Sequence, residues 1–360
     1  MSSWRECKLG EILELKYGKD HKALNDGNIP VFGSGGIMRY ADTFLYDDES
    51  ILIPRKGTLN NIFYINEPFW TVDTIFWSKI NKKEAFGKFL FYQLKTIDFA
   101  NLNVGSAVPS LTTKVLNEVD ISLPPLEEQK AIAEVLSSLD DKIDLLHRQN
   151  QTLESLAGTL FRQWFIEEVK EEWEEKPLSK IADFLNGLAC QKFPPQNGID
   201  KLPVLKIKDL KDGISENSDY ATSDVKPEYI VNNGDVIFAW SASLMVKIWD
   251  GEQCVLNQHL FKVTSKDFPK WFYYHWCKYH LDNFIAISSA HATTMGHIKR
   301  GDLDEAMCVI PSNEELVKMD DEISPIFEKI ETNSRQIKSL EKMRDTLLPK
   351  LLSGEVRVEI

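Results

Sequence analysis

The sequence predicts an α+β protein: two mixed α/β globular domains separated by two long antiparallel coiled-coil helices, arranged as an internal pseudo-twofold repeat. Three observations predict it. The chain is long enough for two cores, its motifs occur twice in the same order, and each copy ends in a sustained heptad pattern.

Length comes first. At roughly 100–200 residues per domain, 360 residues make about two domains. A hydrophobic fraction of 43 % and a charged fraction of 27 % are ordinary for a globular chain and exclude disorder or a collagen-like repeat. There is no apolar run of about 18 residues to span a membrane. The opening Met1–Lys8 lacks the apolar centre of a secretory signal. The cysteines at 7, 190, 254, 277 and 308 are scattered, with no C-x-x-C pair. They read as reduced structural thiols, and the expected location is the cytoplasm.

The net charge of −13 argues at first against nucleic acid. Its distribution removes the objection. Residues 126–172 hold 5 basic and 11 acidic side chains, and residues 311–360 hold 8 and 11. Those two stretches therefore carry −9, and the remainder is near balance.

The repeat is read at two offsets. Trp4, Leu9, Ile12 and Gly18 match Trp173, Leu178, Ile181 and Gly187 at an offset of 169. From Glu127 to Phe165 against Glu314 to Leu352, at an offset of 187, 39 positions align without a gap and 11 are identical. Matches in this order at both ends point to duplication. The predicted boundaries are 1–124 for the first domain and 125–170 for the first helix. They are 171–310 for the second domain and 311–360 for the second helix.

Within each domain, runs such as Ser50–Ile53 and Asp235–Trp240 read as strands, and Gly33-Ser34-Gly35-Gly36 as a turn. Phe86–Leu94 and Trp271–Tyr279 read as helices whose aromatics belong to the core. In the first long helix, Pro125 and the acidic Glu127 and Glu128 suit an N-terminal turn. The apolar seam then runs Ile132, Leu136, Leu139, Ile143, Leu146, Asn150, Leu153, Ala157, Leu160, Trp164. The second seam includes Met319, Ile323, Ile326, Ile330, Asn333, Ile337 and Leu340, with a break at Arg344. Pro325 should kink this helix or mark its effective start. Asn150 and Asn333 either fix register from inside the seam or lie at its solvent edge. About 40 helical residues give a rod of roughly 60 Å.

No catalytic motif is found. There is no G-x-x-x-x-G-K-[ST] loop, no G-x-G-x-x-G opening a helix, no Asn-Pro-Pro-aromatic tetrapeptide and no H-E-x-x-H. His275, His280, His291 and His297 match no ligand spacing, so catalytic and metal-binding residues are both expected to be none.

The segment Leu123-Pro124-Pro125-Leu126-Glu127-Glu128-Gln129-Lys130-Ala131-Ile132-Ala133, with Leu139-Asp140-Asp141-Lys142-Ile143 after it, resembles the helical region of type I restriction-modification specificity subunits. So does the ending Leu347-Leu348-Pro349-Lys350-Leu351-Leu352-Ser353-Gly354-Glu355-Val356. Trp4 to Ile12, and its echo from Trp173, resemble the start of that family's target recognition domain. The second copy departs from the helical motif at Pro311-Ser312-Asn313-Glu314-Glu315-Leu316.

The resemblance implies a DNA-binding specificity subunit without an active site of its own. Its two target recognition domains would each read half of a bipartite sequence, with the helices as spacer ruler. Implied partners are double-stranded DNA, two methyltransferase subunits and motor-nuclease subunits. S-adenosylmethionine, ATP and Mg would belong to those partners, with no cofactor in this chain. The rival readings are a stand-alone bipartite DNA-binding regulator and a coiled-coil scaffold.

If the partner is duplex DNA, as the family resemblance implies, its contacts need Lys, Arg, hydroxyl or amide side chains on loops. Candidates in the first domain are Gly35, Gly36, Arg39, Arg55, Lys56 and Ser106. In the second they are Lys206, Lys208, Lys211, Ser241, Ser243, Asn257 and Gln258. The run His291 to Arg300 adds His291, Thr293, Thr294, His297 and Lys299.

Overall fold

The computed structural model of the chain describes residues 4–103, 109–196, 198–290 and 296–358. They form two compact units. Unit 1 comprises residues 1–145 and 338–360; unit 2 comprises residues 146–337.

Unit 1 holds three small sheets. An antiparallel four-stranded sheet has the order Leu13–Tyr17, Ile75–Ile80, Ser50–Pro54, Phe63–Ile65. A three-stranded sheet has the order Gly36–Ala41, Ile29–Gly33, Trp70–Thr71, its last pair parallel. Arg5–Lys8 pairs with Asp120–Leu123. Every residue of Ser50–Pro54 is buried, as expected of a central strand covered on both faces.

Unit 2 repeats this plan. Its first sheet runs Asp183–Asn186, Leu260–Thr264, Val236–Ala239, Met245–Ile248. Its second runs Tyr220–Thr222, Lys201–Leu205, Cys254–Leu256, Ile230–Val231, with the Lys201–Leu205 and Cys254–Leu256 strands parallel. Glu174–Pro177 pairs with Met307–Ile310. The duplication is therefore present in strand order and in register.

Gly18 and Gly187, where the first sequence match stops, show why. A Cβ at Gly18 would overlap the Val72 carbonyl, and one at Gly187 would overlap the Asn257 carbonyl. The same backbone approach, made twice, excludes every side chain at both positions.

The predicted short helices form at Gly87–Lys95 and Lys270–Tyr279, and their aromatics enter the cores. The long helices are Leu126–Arg162 and Asn313–Leu352. Gln129 anchors the first to its domain. Its side-chain NH2 donates to the carbonyls of Glu84 and Pro124, both at 2.9 Å, and its Oε1 accepts from the Phe86 backbone N–H at 2.8 Å. Leu316 holds the equivalent position in the second helix and is buried in the apolar core of unit 2. The departure from the motif thus exchanges a polar anchor for an apolar one.

In each unit the helix segments pair antiparallel. Within unit 1, Asp140 accepts from Arg344 at 2.9 Å and Glu128 pairs with Arg357. Within unit 2, Asn150 faces Asn333 and Lys170 pairs with Glu315. The break in the second seam at Arg344 is thus an ion pair with Asp140, which also accepts from the Tyr92 hydroxyl at 2.7 Å.

Of the seam, Ile132, Leu136, Ile143, Leu146 and Ile337 are buried, while Leu139, Leu153, Ile326, Ile330 and Leu340 are half-buried. Two expectations change. Pro325 does not start the second helix, which begins twelve residues earlier at Asn313. Its first turns are held by Leu316 and Ile323 in the core, so a single lost N–H does not end them.

Past Ala157 the buried residues are Phe161 and Phe165, not Leu160 and Trp164. Here the helix packs on the Lys270–Tyr279 aromatics and follows a row of i+4 neighbours. It then widens into a π-turn, Gln163–Glu167, closed by Glu168 N–H to Gln163 O at 2.8 Å.

Candidate nucleic-acid interface

In unit 1 the strand Ser50–Pro54 ends in the turn Arg55-Lys56-Gly57. Gly57 has φ +88°, which glycine adopts without strain. The Leu111 N–H donates to the Arg55 carbonyl at 2.9 Å, and Lys56 forms a β-bridge with Ser110.

The neighbouring Ser34-Gly35 hairpin turn is tied to this place. Asn61 donates to the Ser34 carbonyl at 3.0 Å, and a Cβ at Gly57 would stand 3.2 Å from Ser34 Oγ. The fold therefore gathers Gly35, Gly36, Arg55 and Lys56. Arg39 is not among them: its guanidinium donates to Asp26 at 2.6 Å and to the Leu24 carbonyl at 3.2 Å. Ser106 lies outside the described residues.

Arg55 is held without a carboxylate. One NH2 group donates to the Asp73 carbonyl at 3.1 Å, and the guanidinium carbon lies 5.3 Å from the Tyr17 ring centre. Tyr17 is the register partner of Phe76, and their rings meet edge to face at 5.1 Å. Lys56 is exposed.

The same junction recurs in unit 2. Val236–Ala239 ends in Trp240-Ser241-Ala242, and Ala242 has φ +57° where unit 1 has Gly57. The Ile298 N–H donates to the Trp240 carbonyl at 3.1 Å, and Ser241 bridges to His297. Register equates Arg55 with Trp240: Ile53 stands opposite Phe76, as Phe238 stands opposite Phe261.

The Trp240 indole N–H donates to Asn186 Oδ1 at 3.1 Å, and its ring stacks on Phe261 at 5.6 Å. His259 completes the cluster. Its Nδ1 is 3.2 Å from Ser241 Oγ, its Nε2 is 3.2 Å from Gln258 Nε2, and its backbone N–H reaches Asn257 Oδ1 at 3.4 Å.

Ser241 and Asn257, proposed from sequence as DNA-facing, are buried and position His259, while Gln258 is half-buried beside it. Trp240 and His259 had not been anticipated; the alignment of strand ends is the signal that finds them. Ser243, His297 and Lys299 are exposed, and the Lys299 N–H is capped by Asp302 at 2.6 Å. Lys206, Lys208 and Lys211 are exposed along the start and first turns of the short helix Ile207–Asp212, with Lys206 paired to Asp219. His291, Thr293 and Thr294 lie outside the described residues.

Among the described residues no group of three His, Cys, Asp or Glu side chains is placed to hold a metal ion. All five cysteines are buried and unbridged. Burial raises the Cys254 thiol to about 12 and pushes those of Cys277 and Cys308 above the ordinary thiol range, so they are poor nucleophiles.

The profile of the type I restriction modification DNA specificity domain matches residues 1–155 and 170–342, once on each copy of the repeat. The chain belongs to this family. Among its relatives is the type I restriction enzyme MjaIX specificity subunit of Methanocaldococcus jannaschii, 30 % identical over 88 % of this chain and 79 % of that protein. The MjaVIII specificity subunit of the same organism is 25 % identical over 75 % of this chain and 70 % of its own length.

The family's fold is also shared. The crystal structure of the S subunit of a type I restriction-modification system from M. genitalium superposes with a TM-score of 0.65 at 15 % identity, covering 99 % of this chain and 97 % of that one. In family terms the matched strand-end turns lie one in each recognition domain. No helix among the described residues is long and apolar enough to cross a membrane.

Proposed function

We propose that this chain is the DNA-reading subunit of a type I restriction-modification complex and carries no active site of its own. Each recognition domain reads one half of a bipartite sequence, and the paired helices set the spacer. Two methyltransferase subunits dock on the helices, and motor-nuclease subunits join them. S-adenosylmethionine, ATP and Mg act in those partners.

One observation carries this reading. A single strand-end turn occurs twice in the chain, on the same hydrogen-bonded frame, with different side chains: half-buried Arg55 and exposed Lys56 in one copy, half-buried Trp240 and inward-turned Ser241 in the other. A repeated frame with divergent tips suits two halves of an asymmetric target, because base readout changes with the side chain while the scaffold stays fixed. The acidic helices suit protein partners better than phosphate.

The test is adenine methylation mapped across the genome of a methylation-free host expressing the chain with the modification subunit of its own system. The expected result is one two-part motif with a fixed spacer. A stable complex that methylates nothing would favour a scaffold. Tight duplex binding by the chain alone, without a complex, would favour a stand-alone regulator.

A further inference from the structure

Arg5, Arg39, Arg162, Arg344 and Arg357 each pair with a carboxylate. Arg55 and Arg300 are held in another way, and in the same way as each other. Each donates one N–H to a backbone carbonyl: Arg55 to Asp73 at 3.1 Å, Arg300 to Phe184 at 3.2 Å. Each also lies over an aromatic ring, Arg55 on Tyr17 at 5.3 Å and Arg300 on Phe261 at 5.9 Å.

Those rings belong to the same cross-strand pair of the repeat, but to its two different members: Tyr17 lies on the strand equivalent to Asp183–Asn186, and Phe261 on the strand equivalent to Ile75–Ile80. Tyr17 and Phe76 are opposite one another on the strands Leu13–Tyr17 and Ile75–Ile80. Asn186 and Phe261 are opposite one another on Asp183–Asn186 and Leu260–Thr264. In unit 1 the guanidinium comes from the strand-end turn. In unit 2 that turn position is Trp240, whose ring lies against Phe261, and the guanidinium comes instead from Arg300, two residues beyond the Ile298 that bonds the Trp240 carbonyl.

We infer that Arg300 is the DNA-contacting arginine of unit 2 and does there what Arg55 does in unit 1, although the two occupy different positions in the repeat. This rests on the reading proposed above. A guanidinium presents five N–H donors in a planar fork. With one donor on a carbonyl and the ring beneath, each fork is oriented, and among the described residues neither is paired with a carboxylate. A prearranged fork matches a pair of acceptors, which duplex DNA supplies as guanine O6 and N7 or as two phosphate oxygens.

The test uses the full chain with its modification subunit, comparing Arg300→Ala, Arg300→Lys, Arg55→Ala and Arg55→Lys by methylation mapping and by duplex binding. Thermal unfolding checks the fold of each. If Arg300 reads a base, Arg300→Ala and Arg300→Lys both relax one position of one half-site, with about ten- to hundredfold weaker binding to the original motif. If it holds a phosphate, Arg300→Ala weakens all sites alike, the motif is unchanged and Arg300→Lys restores most binding. Either result supports the inference, provided the Arg55 variants act on the opposite half-site.

An Arg300→Ala protein with unchanged motif and affinity overturns it while leaving the functional reading intact. A wild type that methylates no two-part motif and binds no duplex overturns both.

Discussion

Asn333 donates to Asn150 Oδ1 at 2.9 Å inside the helix pair of unit 2, with Asn333 fully buried and Asn150 half-buried. Asn150 in turn donates to Ser334 Oγ at 3.2 Å. One hydrogen bond therefore joins the two seam asparagines inside the pair, which favours the register reading over the solvent-edge reading left open by the sequence. Asn333 Oδ1 itself is buried and has no partner among the described residues.

Replacing either asparagine by leucine strands the other amide, so each single variant should lower stability by about 1–3 kcal/mol. The double variant should recover most of that loss, or exceed the wild type, while losing a unique register. A double-mutant cycle by denaturant unfolding, with amide exchange across residues 146–162 as the measure of order, checks both parts. Additive single effects would mean the pair is not coupled.

Arg55→Ala combined with Lys56→Ala should weaken duplex binding and flatten its dependence on salt, while docking of the methyltransferase is unchanged. Binding titrations between roughly 50 and 200 mM salt, with co-purification as control, are the measurement. An unaltered salt slope would remove this turn from the contact.

Gly18→Ala and Gly187→Ala should each destabilise their own unit by about 1–3 kcal/mol or more, because the added methyl meets main-chain carbonyls that cannot rotate aside. Gly35→Ala, whose Cβ would meet nothing within 4 Å, should cost far less. Thermal unfolding of the three variants separates the cases.

His275 is buried, stacks on Phe161 at 5.1 Å, and has an Nε2 without a partner among the described residues. Burial first, and then the nearby Lys278, push its pKa down to about 3. The unfolded chain takes up this proton near pH 6.5, whereas the folded one stays neutral to about 3. The stabilisation is thus complete above pH 6.5 and erodes as pH falls toward 3, by up to about 1.4 kcal/mol per pH unit. His275→Phe should flatten the acid limb of the stability profile without loss at neutral pH. Urea midpoints from pH 7 to 4 test it, and an unchanged acid limb counts against it.

The duplicated plan was legible in the sequence because its markers are places where physics leaves little choice. Gly18 and Gly187 cannot carry a side chain, and the heptad residues from Ile132 to Leu146 must cover a seam. The tips of the domains were less legible. Ser241 and Asn257 have the chemistry of DNA contacts but are turned inward to hold His259. Arg39 has it too, yet is taken by Asp26. Composition reports which groups could reach DNA, whereas their direction is set by tertiary neighbours that no local pattern encodes.

The pairing of Glu128 with Arg357, and the burial of Leu351 and Leu352 in the core of unit 1, bear on how the protein emerges from the ribosome. Unit 2 is one continuous stretch, residues 146–337, and can close as soon as it has been synthesised. Unit 1 needs residues 338–360 as well, so its early-made domain waits for 207 further residues, 146 to 352, to be translated before Leu351 and Leu352 fill its core. At about 5–20 residues per second that is a delay of roughly 10–40 s. The contiguous unit 2 is complete in sequence first, and until residues 338–352 are made the N-terminal domain lacks the apolar side chains that finish its core.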